Sequence, residues 1–268
     1  MDGSTTGIRK GMQRHLTAAM IFVDDFTGRP IPARKLQISV SEEVETVFKP
    51  DGCLMFLNYG GAALTVTAGG LFYREQTVEI VCAKLDPLCP AVRVRLSPSR
   101  RYPVPPRAIC LEGMASPDRE ILLWCENDPL PLRLRCDYRP DGAREGRELR
   151  LYDPKGADPG GRSFVLLRSG VRKAEIFSVR QVLPEGDGAC LLEAPLESAC
   201  KMAGASILPV YITRTEADGR FFLLLPGMGV ETGICRIRMT DPDGTVRERT
   251  ASLQTGSFTR LDLDGQKA

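Results

Sequence analysis

Two stretches of the chain carry the same short instruction, one in each half. In residues 46–58, TVFKPDGCLMFLN, Val47 leads into a Pro50-Asp51-Gly52 turn, and Leu54 and Phe56 follow at a spacing of two. In residues 215–226, TEADGRFFLLLP, Asp218-Gly219 precedes Phe221, Leu223 and Leu225. Glycine after aspartate supplies the positive φ of a tight reversal, and a period of two puts alternate apolar side chains on one face of a strand. Each stretch therefore predicts a β-hairpin whose second strand enters a core.

The flanking residues extend the pattern. Short alternating runs at 18–25, 36–40, 44–48, 64–67, 71–74, 77–81 and 92–96 are separated by glycines or by the proline-containing break at 86–90, with almost no helical periodicity. Such a series predicts a β-sandwich over residues 17–98. Residues 1–16 are polar and glycine-bearing and are expected to be a flexible arm. PSRRYPVPP at 98–106 is an extended linker, counted here as 99–106. Beyond it the text starts again, with strands expected at 107–114, 121–125 and 130–138, then at 207–214, 220–225, 233–239, 245–253 and 258–263. We therefore expect a second sandwich built from residues 107–138 and 207–264, a degenerate repeat of the first, with its Asp-Gly strand in the corresponding place. The interruption, 139–206, carries strand signals at 149–152, 164–167, 174–182 and 189–194, and is expected to be a small β module, either a barrel or a sheet layered on its host. Residues 197–206 are open between a short helix and a loop.

The first half also resembles a family. The run FVDDFTGRPIPARKLQISV, then VFKPDGCLMFL, ALTVTAGGLFYREQTVEIV and VRVRL, is similar to the prealbumin-like sandwich of carboxypeptidase regulatory-like domains and of the B-type repeats of bacterial surface adhesins. The resemblance covers residues 18–97, with a weaker second copy, and implies an all-β fold of two prealbumin-like or immunoglobulin-like sandwiches in tandem. For function it implies little, because the family serves as spacer, adaptor and binding module. The adhesin repeats often carry a crosslink from a lysine on the first strand to an asparagine on the last. Here AMIFVDD has no lysine and VRVRL no asparagine. Metallocarboxypeptidases that carry similar sandwiches have a separate zinc domain with histidine ligands, and hydroxyisourate hydrolases need several histidines and a particular C-terminal tetrapeptide. This chain has one histidine and ends LDLDGQKA.

Composition narrows the chemistry. Thirty-six basic against 34 acidic residues leave +2, no global pull toward nucleic acid or an acidic membrane. The apolar run at 18–23 ends in Asp24-Asp25, too short for a signal peptide, and no segment approaches membrane-spanning length. Nine cysteines, an odd number without CxxC pairs, predict buried thiols in a reducing compartment rather than a disulfide framework. His15, alone of its kind and in the expected arm, cannot supply the held imidazole of a nucleophilic triad. Cys82 and Cys89 flank KLDPLC without further close ligands, so structural thiols are preferred over zinc. The acids clustered at turns, Asp24-Asp25, Asp51, Asp141, Asp187, Asp218, Asp241-Asp243 and Asp262-Asp264, lack EF-hand spacing, and Asp-Gly is what tight turns require.

Four Arg-x-Arg pairs, 93/95, 133/135, 236/238 and 247/249, fall on expected strands. Each pair shares a face, and acidic neighbours would make that face an ordinary solvated one. The reading is of a non-catalytic structural or protein-interaction component, not an enzyme, in the style of phage-tail or contractile-injection assemblies. Its expected partners are other protein subunits and not nucleic acid or membrane, with any small-molecule ligand left open. No metal or cofactor is expected. Synthesis is expected in the cytoplasm, with incorporation in an exported particle left open. Tyr59, Phe72, Tyr73, Arg93 and Arg95 are the candidate interaction residues. The alternatives are a carbohydrate-binding module using the three aromatics and a hydrolase built on paired carboxylates.

Overall fold

A computed structural model describes residues 14–127, 131–154, 156, 158–171, 173–184, 186–228, 230–241 and 243–264. The chain is all-β, and the helical pieces among the described residues are two three-residue 3-10 turns, Ala33–Lys35 and Cys82–Lys84. Its contacts divide into two compact units. Residues 1–24, 29–70 and 74–96 form the first; 25–28, 71–73 and 97–268 form the second.

The first unit is built from β1 (Leu16–Asp24), β2 (Pro30–Ile31), β3 (Gln37–Val40), β4 (Glu45–Phe48), β5 (Leu54–Leu57), β6 (Ala63–Gly69), β7 (Gln76–Val81) and β8 (Ala91–Leu96). In one sheet β1 has β8 parallel on one side and β5 antiparallel on the other, with β4 beyond β5 and β2 pairing Phe22 and Val23. The other sheet runs β3-β6-β7, antiparallel throughout. Alternation explains the core: Ala18, Met20 and Phe22 of β1, Leu54 and Phe56 of β5 and Leu64 and Val66 of β6 are almost wholly buried. The strand expected at 71–74 does not form; Tyr73 makes a single bridge to Pro98. Of the expected arm, residues 1–13 lie outside the described residues. His15 is exposed, and its carbonyl accepts from Asn58 N–H (2.9 Å) while its own N–H donates to Asn58 Oδ1 (2.9 Å), so it leads directly into β1.

The second unit contains β9 (Ile109–Met114), β10 (Glu120–Cys125), β11 (Arg133–Leu134), β12 (Glu148–Tyr152), β13 (Arg162–Arg168), β14 (Glu175–Val182), β15 (Ala189–Leu192), β16 (Ala205–Arg214), β17 (Arg220–Leu225), β18 (Thr232–Thr240), β19 (Val246–Gln254) and β20 (Phe258–Asp262). Strand β9 lies between β20, parallel, and β17, antiparallel, forming a three-stranded sheet. Facing it are β10, β18, β19 and the C-terminal part of β16. Between these sheets sits a core of Ile109, Leu111, Ile121, Leu123, Phe221, Leu225, Ile237, Met239 and Leu253. The outer face of β9 and β17, carrying Ala108, Cys110, Phe222 and Leu224, is covered by Phe26 and Tyr102, whose rings meet edge to face at 5.9 Å.

The ten residues of β16 serve two bodies. Its first part pairs with β13, from Ala205↔Arg168 to Val210↔Ser163; its last part pairs with β10, from Tyr211↔Leu123 to Arg214↔Glu120. The path β11-β12-β15-β14-β13-β16 closes on itself because Leu132 and Ile207 exchange backbone hydrogen bonds (2.8 and 3.1 Å). The interruption is thus a six-stranded closed barrel, narrow enough for side chains to fill. Phe164 and Phe177 stack inside it at 5.7 Å among Leu134, Leu149, Leu151, Leu166, Val179 and Leu192. The buried Tyr138 hydroxyl donates to Gly146 O (2.6 Å) and accepts from Leu196 N–H (2.9 Å), which offsets the cost of its desolvation. Of the strand expected at 130–138, residue 130 lies outside the described residues, and among the rest only Arg133–Leu134 forms, with β12 of the barrel as its ladder partner.

One expectation about cysteine is corrected. Cys125 and Cys235 form a disulfide with Cα atoms 4.0 Å apart. They are cross-strand neighbours on β10 and β18, and Glu126 N–H bonds Ile234 O beside them, so the cysteines occupy a non-hydrogen-bonded pair, the closer kind. Sequence spacing could not show this, since 110 residues separate the two. The other seven cysteines are free thiols, of which Cys110, Cys190 and Cys200 are buried. Burial pushes the Cys110 and Cys190 thiols up to about 11, so they are inert at neutral pH.

Candidate functional site

The five candidate residues divide between the two units. Tyr59 belongs to the first unit, where its hydroxyl donates to Ala63 O (2.7 Å) and its backbone exchanges hydrogen bonds with the Thr17 hydroxyl (3.0 and 3.2 Å). Burial raises its pKa above the ordinary value. Phe72 and Tyr73 count with the second unit: Phe72 is exposed, and Tyr73 is half-buried with its ring edge to face with Tyr102 at 5.9 Å. Arg93 and Arg95 lie two apart on β8, opposite the inward-facing Val94 and Leu96; Arg93 is exposed and Arg95 half-buried.

Arginines do converge elsewhere, and carboxylates meet them. At one end of the second sandwich the loops after β9, β16 and β18 meet the residues that follow β20. Arg119, almost buried, pairs through Nε with Asp241 Oδ1 (2.8 Å) and through Nη1 with Asp264. Arg247 adds a bidentate grip on Asp241 (2.8 and 3.0 Å), and the Ser116 hydroxyl donates to Asp264 Oδ2 (2.9 Å). The Thr215 hydroxyl closes the cluster, accepting from Arg119 N–H (2.8 Å) and donating to Ser116 O (2.9 Å). Burial alone would raise the Asp264 pKa, but the Ser116 hydrogen bond and the Arg119 charge outweigh it and hold the carboxyl below the ordinary range. Two convergent carboxylates are what a hydrolase needs, yet each of these faces arginine, and the lowered Asp264 has no proton to donate at neutral pH. The cluster ties loop ends together.

A second cluster lies beside the barrel. Glu175, buried, receives Arg168 Nη2 on one oxygen and the Glu197 backbone N–H on the other. Desolvation lowers the Arg168 pKa, but the Glu175 hydrogen bond more than restores it, and the net direction is upward. Lys173 holds Glu197 at 2.7 Å and lowers its pKa. Four arginines of the Arg-x-Arg pairs are likewise matched by acids: Arg236 with Glu126 (2.7 Å), Arg238 with Glu248 (2.6 Å), Arg135 with Asp187 (2.6 Å) and Arg247 with Asp241. Arg238 also lies over the buried Trp124 ring, 5.4 Å from its centroid. Sequence reading singled out neither Arg119 nor Glu175 and treated Asp241 and Asp264 as turn acids. Their partners lie up to 148 residues away, and the local signal of each is an ordinary loop charge.

Among the described residues no three His, Cys, Asp or Glu side chains are grouped to hold a metal, and no helix is long and apolar enough to cross a membrane. No protein-family model matches the chain, and no curated protein matches it at significant similarity. Among solved structures it is similar to a variant of BcpA, the major pilin subunit of Bacillus cereus. That match has 7% identity and a TM-score of 0.22, over 90% of this chain and 69% of that one, too slight a likeness to carry an argument.

What the described residues do offer to another molecule is sheet edge. Strand β19, nine residues long, ends the nine-stranded sheet and pairs on one side only, with β18. Its alternation of Arg247, Glu248 and Arg249 puts charge along that edge, which blunts indiscriminate strand addition. In the first unit β4 is an edge too, and Phe48 upon it is 52% exposed.

Proposed function

We propose that the protein is a non-catalytic structural component that assembles with other protein subunits. The observation that carries this reading is the use of its charges. The two buried clusters, at Arg119 and at Glu175, are matched acid to base and tie chain segments to one another, as a body that holds its shape under partners would require. The single strand β16 shared by barrel and sandwich supports the same reading, because it joins the two bodies without a linker. The narrower reading is a subunit of a phage-tail-like or contractile-injection particle, with Arg93, Arg95 and the aromatics Tyr59, Phe72 and Tyr73 at its contacts. On that reading the chain is made in the cytoplasm and carried out in the particle, and the Cys125–Cys235 disulfide closes after release from the reducing interior.

Gradient sedimentation of a native lysate, followed by electron microscopy of the fractions, tests this. The account expects the protein in a particle with fixed stoichiometry to other subunits. Recovery as a free monomer throughout the gradient would sink it, and a multi-subunit particle without tail or sheath proteins would remove the narrower reading alone.

A further inference from the structure

We propose that in the reduced chain Cys125, Cys235 and Met228 form a three-sulfur site for a soft monovalent cation of the Cu(I) kind, and that the disulfide and the ion are alternative occupants of one place. The two cysteines are a non-hydrogen-bonded pair at the end of the β10–β18 ladder, and both belong to the core of the second sandwich. A third sulfur stands beside them, with Met228 Sδ 3.9 Å from Cys235 Sγ. A first-row metal ion holds sulfur at about 2.3 Å, so three sulfurs in a plane around it stand about 4 Å apart. The thioether already has that spacing from Cys235, and it is the cysteine sulfurs that must part.

The strand makes room for that thioether. Gly233 lies two residues before Cys235, on the same face of β18, and a Cβ there would stand 2.2 Å from Met228 Sδ. The surroundings are held by side chains at fixed points. Asn127 Oδ1 accepts from Ile234 N–H (3.0 Å), and the Thr255 hydroxyl donates to Val230 O (2.8 Å) and lies 3.4 Å from Met228 O. Met228 is half-buried whereas Cys125 and Cys235 are 8% and 0% exposed, so an ion enters past the thioether and ends away from water. Thiolate and thioether together select Cu(I) over harder cations. Reduction by a small dithiol, itself oxidised to its disulfide, supplies two electrons and two protons and turns the Cys125–Cys235 bond into two thiols. Both thiols release their protons to bind the ion, so binding tightens as pH rises.

NMR of the full chain with labelled methionine methyls tests the proposal, with Ag(I), a redox-stable ion of the same class, as the probe. The Met228 resonance is identified by its loss in Met228→Leu. In the chain reduced with a dithiol and then freed of it under argon, Ag(I) added in steps to one equivalent for each of the nine cysteines is expected to shift that resonance to saturation. The same addition to the chain with its disulfide intact, which keeps the other seven thiols, is expected to leave it in place. A Met228 methyl that does not move in the reduced chain would overturn the proposal. So would an equal shift with the disulfide intact, since the ion would then be held without the two cysteines. The methyl of the fully buried Met239 reports on the fold, and its collapse to an unfolded position on reduction would also overturn the proposal, because the three sulfurs would no longer be held together.

Discussion

The two sandwiches share six strands in the same relations, and differ in the seventh. In the first unit the opening strand β1 lies between the last strand, β8, in parallel and the Asp-Gly strand, β5, in antiparallel; in the second, β9 lies between β20 and β17 in the same way. The facing sheets correspond as well, β3-β6-β7 and β10-β18-β19. The strand before the Asp-Gly turn breaks the match. In the first unit β4 pairs with β5 across the turn, whereas in the second β16 passes to the opposite sheet and pairs with β10. One bond marks the place it left: the buried Thr213 hydroxyl of β16 donates to Phe222 O of β17 (3.0 Å). A strand already committed to the barrel over its first residues continues into the sheet with which it is continuous. The insertion thus sets where the host strand goes.

That comparison can be broken or sharpened by experiment. The largest effect is expected from Phe22→Ala and Phe221→Ala, core aromatics of the first and second units, each fully buried. Each should cost about 3–5 kcal/mol in denaturant unfolding, and two transitions, with each variant moving a different one, would separate the units energetically. Next is the disulfide, which has no counterpart in the first unit. Intact mass under non-reducing conditions should show one bond, and the Cys125→Ala/Cys235→Ala variant should lose about 2–4 kcal/mol, confined to the second transition.

The turns come third. Gly52, Gly219 and Gly244 sit at φ of 92°, 79° and 84° in one shared design, in which the glycine N–H bonds back three residues and the preceding aspartate caps the next amide. A Cβ would lie 2.4 Å from Ala115 O at Gly219, 2.9 Å from Pro32 Cα at Gly52, and in open space at Gly244. Thermal melts should rank the alanine variants in that order, with Gly244→Ala costing about 1 kcal/mol from backbone strain alone.

Smallest is the acid dependence of the Arg119 cluster. Because the folded-state pKa of Asp264 is lowered, its contribution is complete above the ordinary carboxylate value of about 3.9 and is lost as pH falls through the folded value. Asp264→Asn should flatten the stability profile of the second unit below about pH 4 and leave the first unit unchanged.

Much of this architecture was legible in the residues. Met20, Phe22, Leu54, Phe56, Leu64 and Val66 lie at alternate positions between glycine-marked turns, and period-two burial follows from that spacing alone. The run at 71–74 looked the same but forms no strand, since apolar alternation over four residues does not by itself supply a ladder partner. Residues 130–138 misled for a related reason: Leu132 and Leu134 do alternate, but the core they enter is the barrel's, and no local signal names the core. The charged clusters were the least readable, because Arg119 acquires its meaning only when three loops and the end of the last strand meet.

The central claim is that the strands before the two Asp-Gly turns lie in opposite sheets. Interstrand nuclear Overhauser effects on the full chain test it most directly. The account predicts backbone contacts of Thr46 with Phe56 in the first unit and of Ile212 with Leu122 in the second. A ladder between 212–214 and β17, in place of the one to β10, would contradict it.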